Sequence, residues 1–147
     1  MGFKREVFVN APVEQVFQKI ARYEYAEEKL DHIVKIEILT NSEVQKGTEI
    51  KETRDIKGRQ VDAIWKVSDY QPNQRFTVKS DQNNLHLIYN YDFEEETGGT
   101  RIKFTGNIKT SGMRNLIYKP LIKRIIIKED GDHLKKAKEY IEKTTQE

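Results

Sequence analysis

The sequence contains no cysteine, and this absence excludes several kinds of chemistry at once. Without a thiol the chain forms no disulfide, uses no thiolate nucleophile and offers zinc no sulfur ligand. Long apolar runs are missing too, since no stretch reaches about 18 uninterrupted apolar residues, and MGFKREVFVN lacks an apolar run of signal-peptide length. We therefore expect a cytoplasmic protein without a transmembrane helix in this sequence.

The motifs of common catalytic and nucleotide-binding sites are also absent. The chain has no G-x-G-x-x-G, no P-loop, no H-E-x-x-H and no G-x-S-x-G. Its three histidines, His32, His86 and His133, fall on different predicted elements without the spacing of metal ligands. His86 is out of phase with the apolar face of its strand and is expected to face solvent. By its motifs, the sequence indicates no catalytic residue, no metal site and no cofactor.

What the sequence does contain is enough apolar and aromatic material for one folded core. Six Phe, seven Tyr and one Trp accompany 36% hydrophobic residues, which argues against disorder of the whole chain. A chain of 147 residues buries roughly 68–70% of its unfolded surface on folding. We predict a single domain over residues 1–147.

Positive charge is concentrated in one segment. Residues 109–128 carry six basic side chains and no acidic one, whereas the net charge of the whole chain is only +2. Such a segment is either a solvated helix flank or a site of weak contact with an anionic membrane surface. Nucleic acid is not an expected partner, because aromatic residues do not interleave with the basic ones as a stacking platform requires.

The apolar pattern gives the order of elements. Residues 4–10 alternate as a strand, and Ala11-Pro12 begins a helix because proline suits the first helical position. A second short helix or turn covers residues 23–31. From residue 33 the period changes to two, and six strands with short turns between them imply an antiparallel meander. In the first of the six, Val34, Ile36 and Ile38 are expected to share a face.

The pattern returns to helical spacing near the end of the chain. Ile127, Leu134 and Ile141 lie seven residues apart, and a helix over residues 112–144 would be about 50 Å long. Pro120 inside it predicts a kink or a fresh start of the helix, because proline removes a backbone hydrogen bond.

This order of elements, with the stretches VFVNAPVEQVFQKIARYE, GRQVDAIWKVSDYQPNQRF and GGTRIKF, resembles the START-like, or Bet v 1-like, superfamily (SRPBCC) of polyketide cyclase/dehydrase and lipid-transport domains. The resemblance runs essentially end to end. It implies an α+β helix-grip: a curved antiparallel β-sheet wrapped around a long C-terminal α-helix, with two small helices after the first strand and a cavity between sheet and helix. Where many relatives carry an aromatic residue in the second small helix, this chain has Lys29, which implies a more polar cavity entrance.

The resemblance also gives a place to NLIYKPLIKRIIIKEDG, residues 115–131. It would be the first half of the gripping helix, lying over the cavity mouth. A membrane-surface helix and a dimer interface remain as alternatives, although its basic residues spread around the helix and form no single polar face.

Glu52 and Arg54 are the polar residues of greatest interest on the strands. If Ile50 faces inward, alternation sends both charges into an apolar chamber, where they must pair with each other, a tyrosine hydroxyl or a ligand. In that phase a carboxylate or enolate head group would meet Arg54, and Glu52 would be placed to act as a base. The opposite phase, or a one-residue bulge, would put both in water.

Aromatic residues complete the predicted cavity wall, with core packing as the alternative role for each of them. The predicted ligand-binding residues are Ile50, Glu52, Arg54, Trp65, Phe76, Leu87, Tyr89, Tyr91, Phe104, Met113, Ile117 and Leu121.

Three classes of function are consistent with this sequence. The first is a binding or carrier module for a hydrophobic or amphipathic small molecule, such as a lipid, quinone or aromatic metabolite. The second is a polyketide cyclase/dehydrase-like enzyme that uses Glu52, Arg54 and Tyr89 to orient a chain and move protons. The third is a protein-interaction module of the co-chaperone kind. The first is the leading hypothesis, because fold alone does not fix an activity.

Overall fold

A computed structural model describes residues 2–39, 43–56, 58–82, 84–111, 124, 126–128 and 130–145. Its elements in chain order are β1 (Gly2–Val9), α1 (Val13–Ala21), α2 (Ala26–Lys29), β2 (Ile33–Ile38), β3 (Glu49–Ile56), β4 (Arg59–Gln71), β5 (Arg75–Gln82), β6 (Leu85–Glu96), β7 (Gly99–Thr110) and α3 (His133–Thr145).

The described strands form one curled antiparallel sheet in the order β1-β7-β6-β5-β4-β3-β2. The predicted meander of six strands, β2 to β7, is confirmed. β1 joins the sheet at the far edge by pairing with β7, with Gly2 opposite Asn107 and Val9 opposite Thr100. Together with the C-terminal helix, this arrangement confirms the predicted α+β helix-grip fold.

Helix α1 packs one apolar face into the core. Its buried residues Val16, Phe17 and Ile20 recur at helical spacing, as the sequence pattern predicts. The sequence predicts Pro12 at the first helical position, but the helix begins one residue later, at Val13. Pro12 is the N-cap, and its extended backbone leads the chain into the helix. The Pro12 carbonyl accepts hydrogen bonds from the backbone N–H groups of Gln15 and Val16, which fixes the first turn.

A bulge in β2 changes which of its side chains are buried. The pairing of β2 with β3 shifts between Ile33 and Lys35. The regular alternation of side chains between the two faces of the sheet is therefore interrupted there. Ile33 is consequently buried and Val34 is exposed, which makes the predicted shared face of Val34 with Ile36 wrong.

The terminal helix is not continuous. Residues 124, 126–128, 130 and 131 are helical, the chain turns at Asp132, and α3 begins at His133. The predicted buried stripe is confirmed at Leu134 and Ile141. Pro120, where the sequence predicts a kink, lies outside the described residues.

The last turns of α3 are hydrogen-bonded to the end of β1 and to the residue that follows it. Lys138 Nζ donates a hydrogen bond to the Phe8 carbonyl at 2.5 Å, and the Glu142 carboxylate accepts one from the Asn10 backbone N–H at 2.8 Å. These contacts hold the helix across the strand–helix corner that follows β1.

A glycine allows β1 to pack closely on β7. Phe3 covers Gly106, its register partner, and a Cβ atom at position 106 would lie 2.5 Å from the Phe3 ring. The Phe3 ring in turn contacts Tyr89 and Phe104, with centroids 6.0 and 5.6 Å apart. Edge strand β1 therefore packs, through Phe3, against aromatic residues in the interior.

Candidate functional site

Polar side chains from several parts of the chain meet around one small cavity in the interior. Strands β3, β4 and β6, the segment around α2 and the start of α3 each contribute to it. The lining residues are Tyr23, Tyr25, Leu30, His32, Ile33, Glu52, Arg54, Trp65, Tyr89, Tyr91, Asp130 and His133. The cavity volume is about 20 Å³, which is room for about one water molecule.

Glu52, Arg54 and Asp130 form a charged cluster on the wall of this cavity. Arg54 Nε donates to Glu52 Oε1, and Arg54 Nη2 lies 3.3 Å from Asp130 Oδ1. Burial by itself lowers the pKa of Arg54, but the charges of Asp130 and Glu52 outweigh burial and raise that pKa. The guanidinium therefore stays charged, and the three groups carry a net charge of −1 when both carboxylates are ionised.

Tyr89 links the charged cluster to the aromatic wall. Its hydroxyl donates a hydrogen bond to Asp130 Oδ2, and its ring lies 4.9 Å from that of Trp65, centroid to centroid. Burial, reinforced by the negative charge of Asp130, raises the pKa of Tyr89 well above its ordinary value of 10.0. Tyr89 is thus a neutral hydrogen-bond donor to a buried carboxylate.

A series of hydrogen bonds runs from Tyr25 through Tyr91 to His133. His133 Nδ1 donates to the backbone carbonyl of Asp130, so in the neutral ring Nε2 is the acceptor. Tyr91 then donates to Nε2 at 2.9 Å, and it is also hydrogen-bonded to Tyr25. Burial lowers the pKa of His133 below its ordinary 6.5, which favours this neutral ring.

Two buried nitrogens on the cavity wall have no hydrogen-bond partner among the described residues. They are Trp65 Nε1 and His32 Nε2. His32 Nε2 is 3.9 Å from Asp130 Oδ1, which is beyond hydrogen-bond range. A buried indole N–H without an acceptor is costly, because water would otherwise satisfy it.

The structure brings together part of the predicted site. Glu52, Arg54, Trp65, Tyr89 and Tyr91 all line the cavity, so the inward phase of β3 is the one observed. A role for any of them in binding stays a prediction.

The other predicted residues fall into two groups. Ile50, Phe76, Leu87 and Phe104 are buried but do not line this cavity; Phe104, for example, packs edge-on against His133 with ring centroids 4.7 Å apart. The remaining three, Met113, Ile117 and Leu121, lie outside the described residues, as does most of the segment predicted to cover the cavity mouth.

Sequence reasoning missed Asp130, His133, His32 and the tyrosines near α2. One signal was present: Asp130 precedes Leu134, Ala137 and Ile141 at helical spacing, which places it on the buried stripe. An acidic residue on an apolar stripe predicts a buried partner of opposite charge. His32 had no such signal, because it lies in the turn before β2.

Metal binding and membrane crossing have no support in the part of the chain that the structure describes. No group of three or more His, Asp or Glu side chains there is arranged to hold a metal ion. Likewise, none of the described helices has the length and apolar character needed to span a bilayer. Of the basic residues proposed for membrane-surface contact, Arg124 and Lys128 are exposed.

Comparison with solved structures finds the same fold in proteins of very different sequence. The protein TTHA0849 of Thermus thermophilus is 16% identical, with a TM-score of 0.77 over 96% of this chain and 97% of that one. The Zhui aromatase/cyclase of a Streptomyces species is 14% identical, with a TM-score of 0.77 over 97% and 93%. A START superfamily protein of Mycobacterium smegmatis is 14% identical, with a TM-score of 0.70 over 99% and 97%.

Sequence comparison assigns the family. A search of curated proteins found no match to this chain. The model of one sequence family, described as polyketide cyclase/dehydrase and lipid transport, matches residues 2–142. The match covers nearly the whole sequence, and the chain therefore belongs to the polyketide cyclase/dehydrase and lipid-transport family.

Proposed function

We propose that the protein binds a hydrophobic or amphipathic small molecule between the sheet and the C-terminal helix and acts as a carrier. The polar end of that molecule would meet the cavity beside the charged cluster. The observation that carries this proposal is the convergence of Glu52, Arg54 and Asp130 around a cavity whose wall also holds the Trp65 indole, a donor with no hydrogen-bond partner among the described residues.

The composition of the cavity wall supports a role beyond stability. Taking three charges out of water is expensive, and apolar residues of similar volume often stabilise a core at least as well. Glu52 is nevertheless 5% exposed and Asp130 is also 5% exposed. A core selected for stability alone would not need them, whereas a site that orients a polar group would.

The size of the cavity limits which part of a ligand it can hold. About 20 Å³ accommodates one oxygen-sized group. The apolar body of a ligand would therefore extend beyond this cavity. The sequence predicts that residues 115–131 cover the mouth, and the basic character of that segment remains compatible with a weak membrane-surface contact. A cytoplasmic location stays a prediction.

The test is to identify what the protein carries. Protein purified gently from its own host would be denatured and extracted, and the released small molecules identified by mass spectrometry. We expect a stoichiometric amphipathic compound, which is absent from a parallel extract of an unrelated protein. An empty protein that also fails to bind apolar probes would contradict the proposal and favour the protein-interaction class.

A cyclase/dehydrase-like enzyme is the second candidate, and one observation favours it. The hydrogen-bond series Tyr25–Tyr91–His133 ends on a neutral imidazole whose Nδ1 donates to the Asp130 backbone carbonyl, and an imidazole can accept and return a proton. The same extraction separates the two functions. A carrier releases the compound unchanged after incubation with fresh protein, whereas an enzyme converts it.

A further inference from the structure

Trp65 offers the cavity a hydrogen bond that nothing in the described structure accepts. The residue is 2% exposed, and its Nε1–H group has no partner among the described residues. An indole nitrogen donates only, so the missing partner must be an acceptor. His32 Nε2 also has no hydrogen-bond partner among the described residues, but Asp130 Oδ1 lies 3.9 Å from it, so Trp65 is the donor we assign to a ligand.

The charges around the cavity restrict what that acceptor is. The guanidinium of Arg54 already contacts two carboxylates, those of Glu52 and Asp130. An anionic head group would add a third negative charge beside a single cation in a poorly solvated space, where repulsion is only weakly screened. A cationic head group would suit the net charge but gives the Trp65 N–H nothing to donate to.

The volume points to the same chemistry. A cavity of about 20 Å³ holds one oxygen atom but not a phosphate or a sugar. A carbonyl oxygen carries two lone pairs and no charge, so it can accept a hydrogen bond from the Trp65 N–H.

We propose that this cavity recognises a neutral carbonyl oxygen, of a ketone, quinone or ester, by a hydrogen bond from Trp65 Nε1. The inference rests on the proposed function and narrows its ligand class. It replaces the carboxylate or enolate head group that the sequence suggested for Arg54. In this arrangement the charged cluster disfavours the binding of anions and holds the cavity wall in place. Trp65 donates the hydrogen bond that selects the carbonyl oxygen.

Four probes that share a naphthalene body test the proposal by calorimetry. Acetylnaphthalene carries the ketone, naphthoate a carboxylate, naphthylmethylamine a cation, and ethylnaphthalene is the shape-matched hydrocarbon. We expect acetylnaphthalene to bind about tenfold more tightly than ethylnaphthalene, the effect of one hydrogen bond to a buried donor. Naphthoate should bind most weakly.

Trp65→Phe keeps an aromatic ring and removes only the N–H group. It should abolish the preference for acetylnaphthalene over ethylnaphthalene while leaving the affinity for ethylnaphthalene within about twofold. Circular dichroism would verify that the variant folds. If it does not, the comparison of the four probes on the wild-type protein still tests the proposal.

The outcomes separate this inference from the proposed function. Equal affinity for ketone and hydrocarbon, or tightest binding of naphthoate, would overturn the carbonyl proposal and leave the carrier function standing. A ketone preference that survives in Trp65→Phe would overturn the role of Trp65. Failure of all four probes to bind would count against both the inference and the carrier function.

Discussion

Arg54 is the residue on which the charged cluster depends. Its side chain is 14% exposed and lies between the carboxylates of Glu52 and Asp130, each still less exposed. Removing one member of a buried ion pair is more damaging than replacing the whole pair, because the partner is left charged in a poorly solvating interior.

Arg54→Leu should therefore lower the free energy of unfolding by about 3–5 kcal/mol. The physical reason is that two buried carboxylates lose their common cation. Urea unfolding followed by circular dichroism at neutral pH measures the change.

Arg75→Leu is the matched control. Arg75 also lies on a strand and pairs with a carboxylate, Asp92, at 2.8 Å, but its side chain is 48% exposed. Surface pairs of this kind contribute about 0–1 kcal/mol. Similar losses in the two variants would show that burial of the cluster contributes nothing special.

The residues of the cluster differ in how far the sequence reveals them. Glu52 and Arg54 follow Ile50 by alternation, which is a local rule, so their inward phase can be written down from one strand. Asp130 meets Arg54 across 76 positions of sequence, and no local rule brings the two together. Only the acidic residue on the apolar stripe of the terminal helix hints at the contact.

At the scale of elements, the junction between β1 and β7 is the most tightly specified. Gly106 has no side chain, and the Phe3 ring occupies the place where one would be. The same ring packs on Phe104 and Tyr89, so displacing it disturbs both the edge of the sheet and the aromatic core.

Gly106→Ala should lower the free energy of unfolding by about 1–3 kcal/mol, the usual cost of overpacking. Equilibrium denaturation measures the loss, and Phe3→Leu added to Gly106→Ala should recover part of it by making room. No recovery in the double variant would mean that the Phe3 contact is not the cause.

Gly131→Ala is the comparison within the same chain. Its added methyl group meets only the end of the flexible Arg5 side chain, at 2.9 Å, and position 131 is helical. Alanine favours a helix by up to about 1 kcal/mol over glycine. This variant should be as stable as the wild type or slightly more so.

The elements themselves were largely predictable, because their apolar periods are local and strong. The failures have physical causes at particular residues. The bulge after Ile33 depends on pairing with β3, which the β2 sequence alone does not contain. The interruption at Asp132 lies in the consecutive residues Asp130, Gly131 and Asp132. Glycine and aspartate are both poor helix formers.

For the whole molecule, buried ionisable groups make the free energy of unfolding depend on pH in both the alkaline and the acidic range. Burial raises the pKa of Tyr23, Tyr25, Tyr89 and Tyr91 above the ordinary 10.0. Burial also lowers the pKa of His133 below 6.5. In each case the folded protein favours the neutral form of the side chain.

The free energy of unfolding should therefore fall as pH rises above about 10, since the unfolded chain then loses tyrosine protons that the folded chain keeps. It should also fall as pH drops below about 6.5, because the unfolded chain gains a proton that buried His133 resists. Urea titrations across this range measure both slopes.

Tyr25→Phe supplies the control for the alkaline side. With one buried phenol fewer, the decrease above pH 10 should be less steep than in the wild type. The part of the tyrosinate absorbance that comes from the four buried phenols should rise only together with unfolding. Ionisation of all the tyrosines in the still-folded protein would contradict the assignment.

The pairing of β1 with β7 also has a consequence for how the chain reaches its native state. Each hairpin of the meander closes locally, whereas β1 must wait for a partner made long after it, with Gly2 opposite Asn107. Such a contact has high contact order and is slow to form. During synthesis on the ribosome, β1 emerges before the other described strands of the sheet and is thus the last to pair. We expect it to be the segment most in need of protection by chaperones.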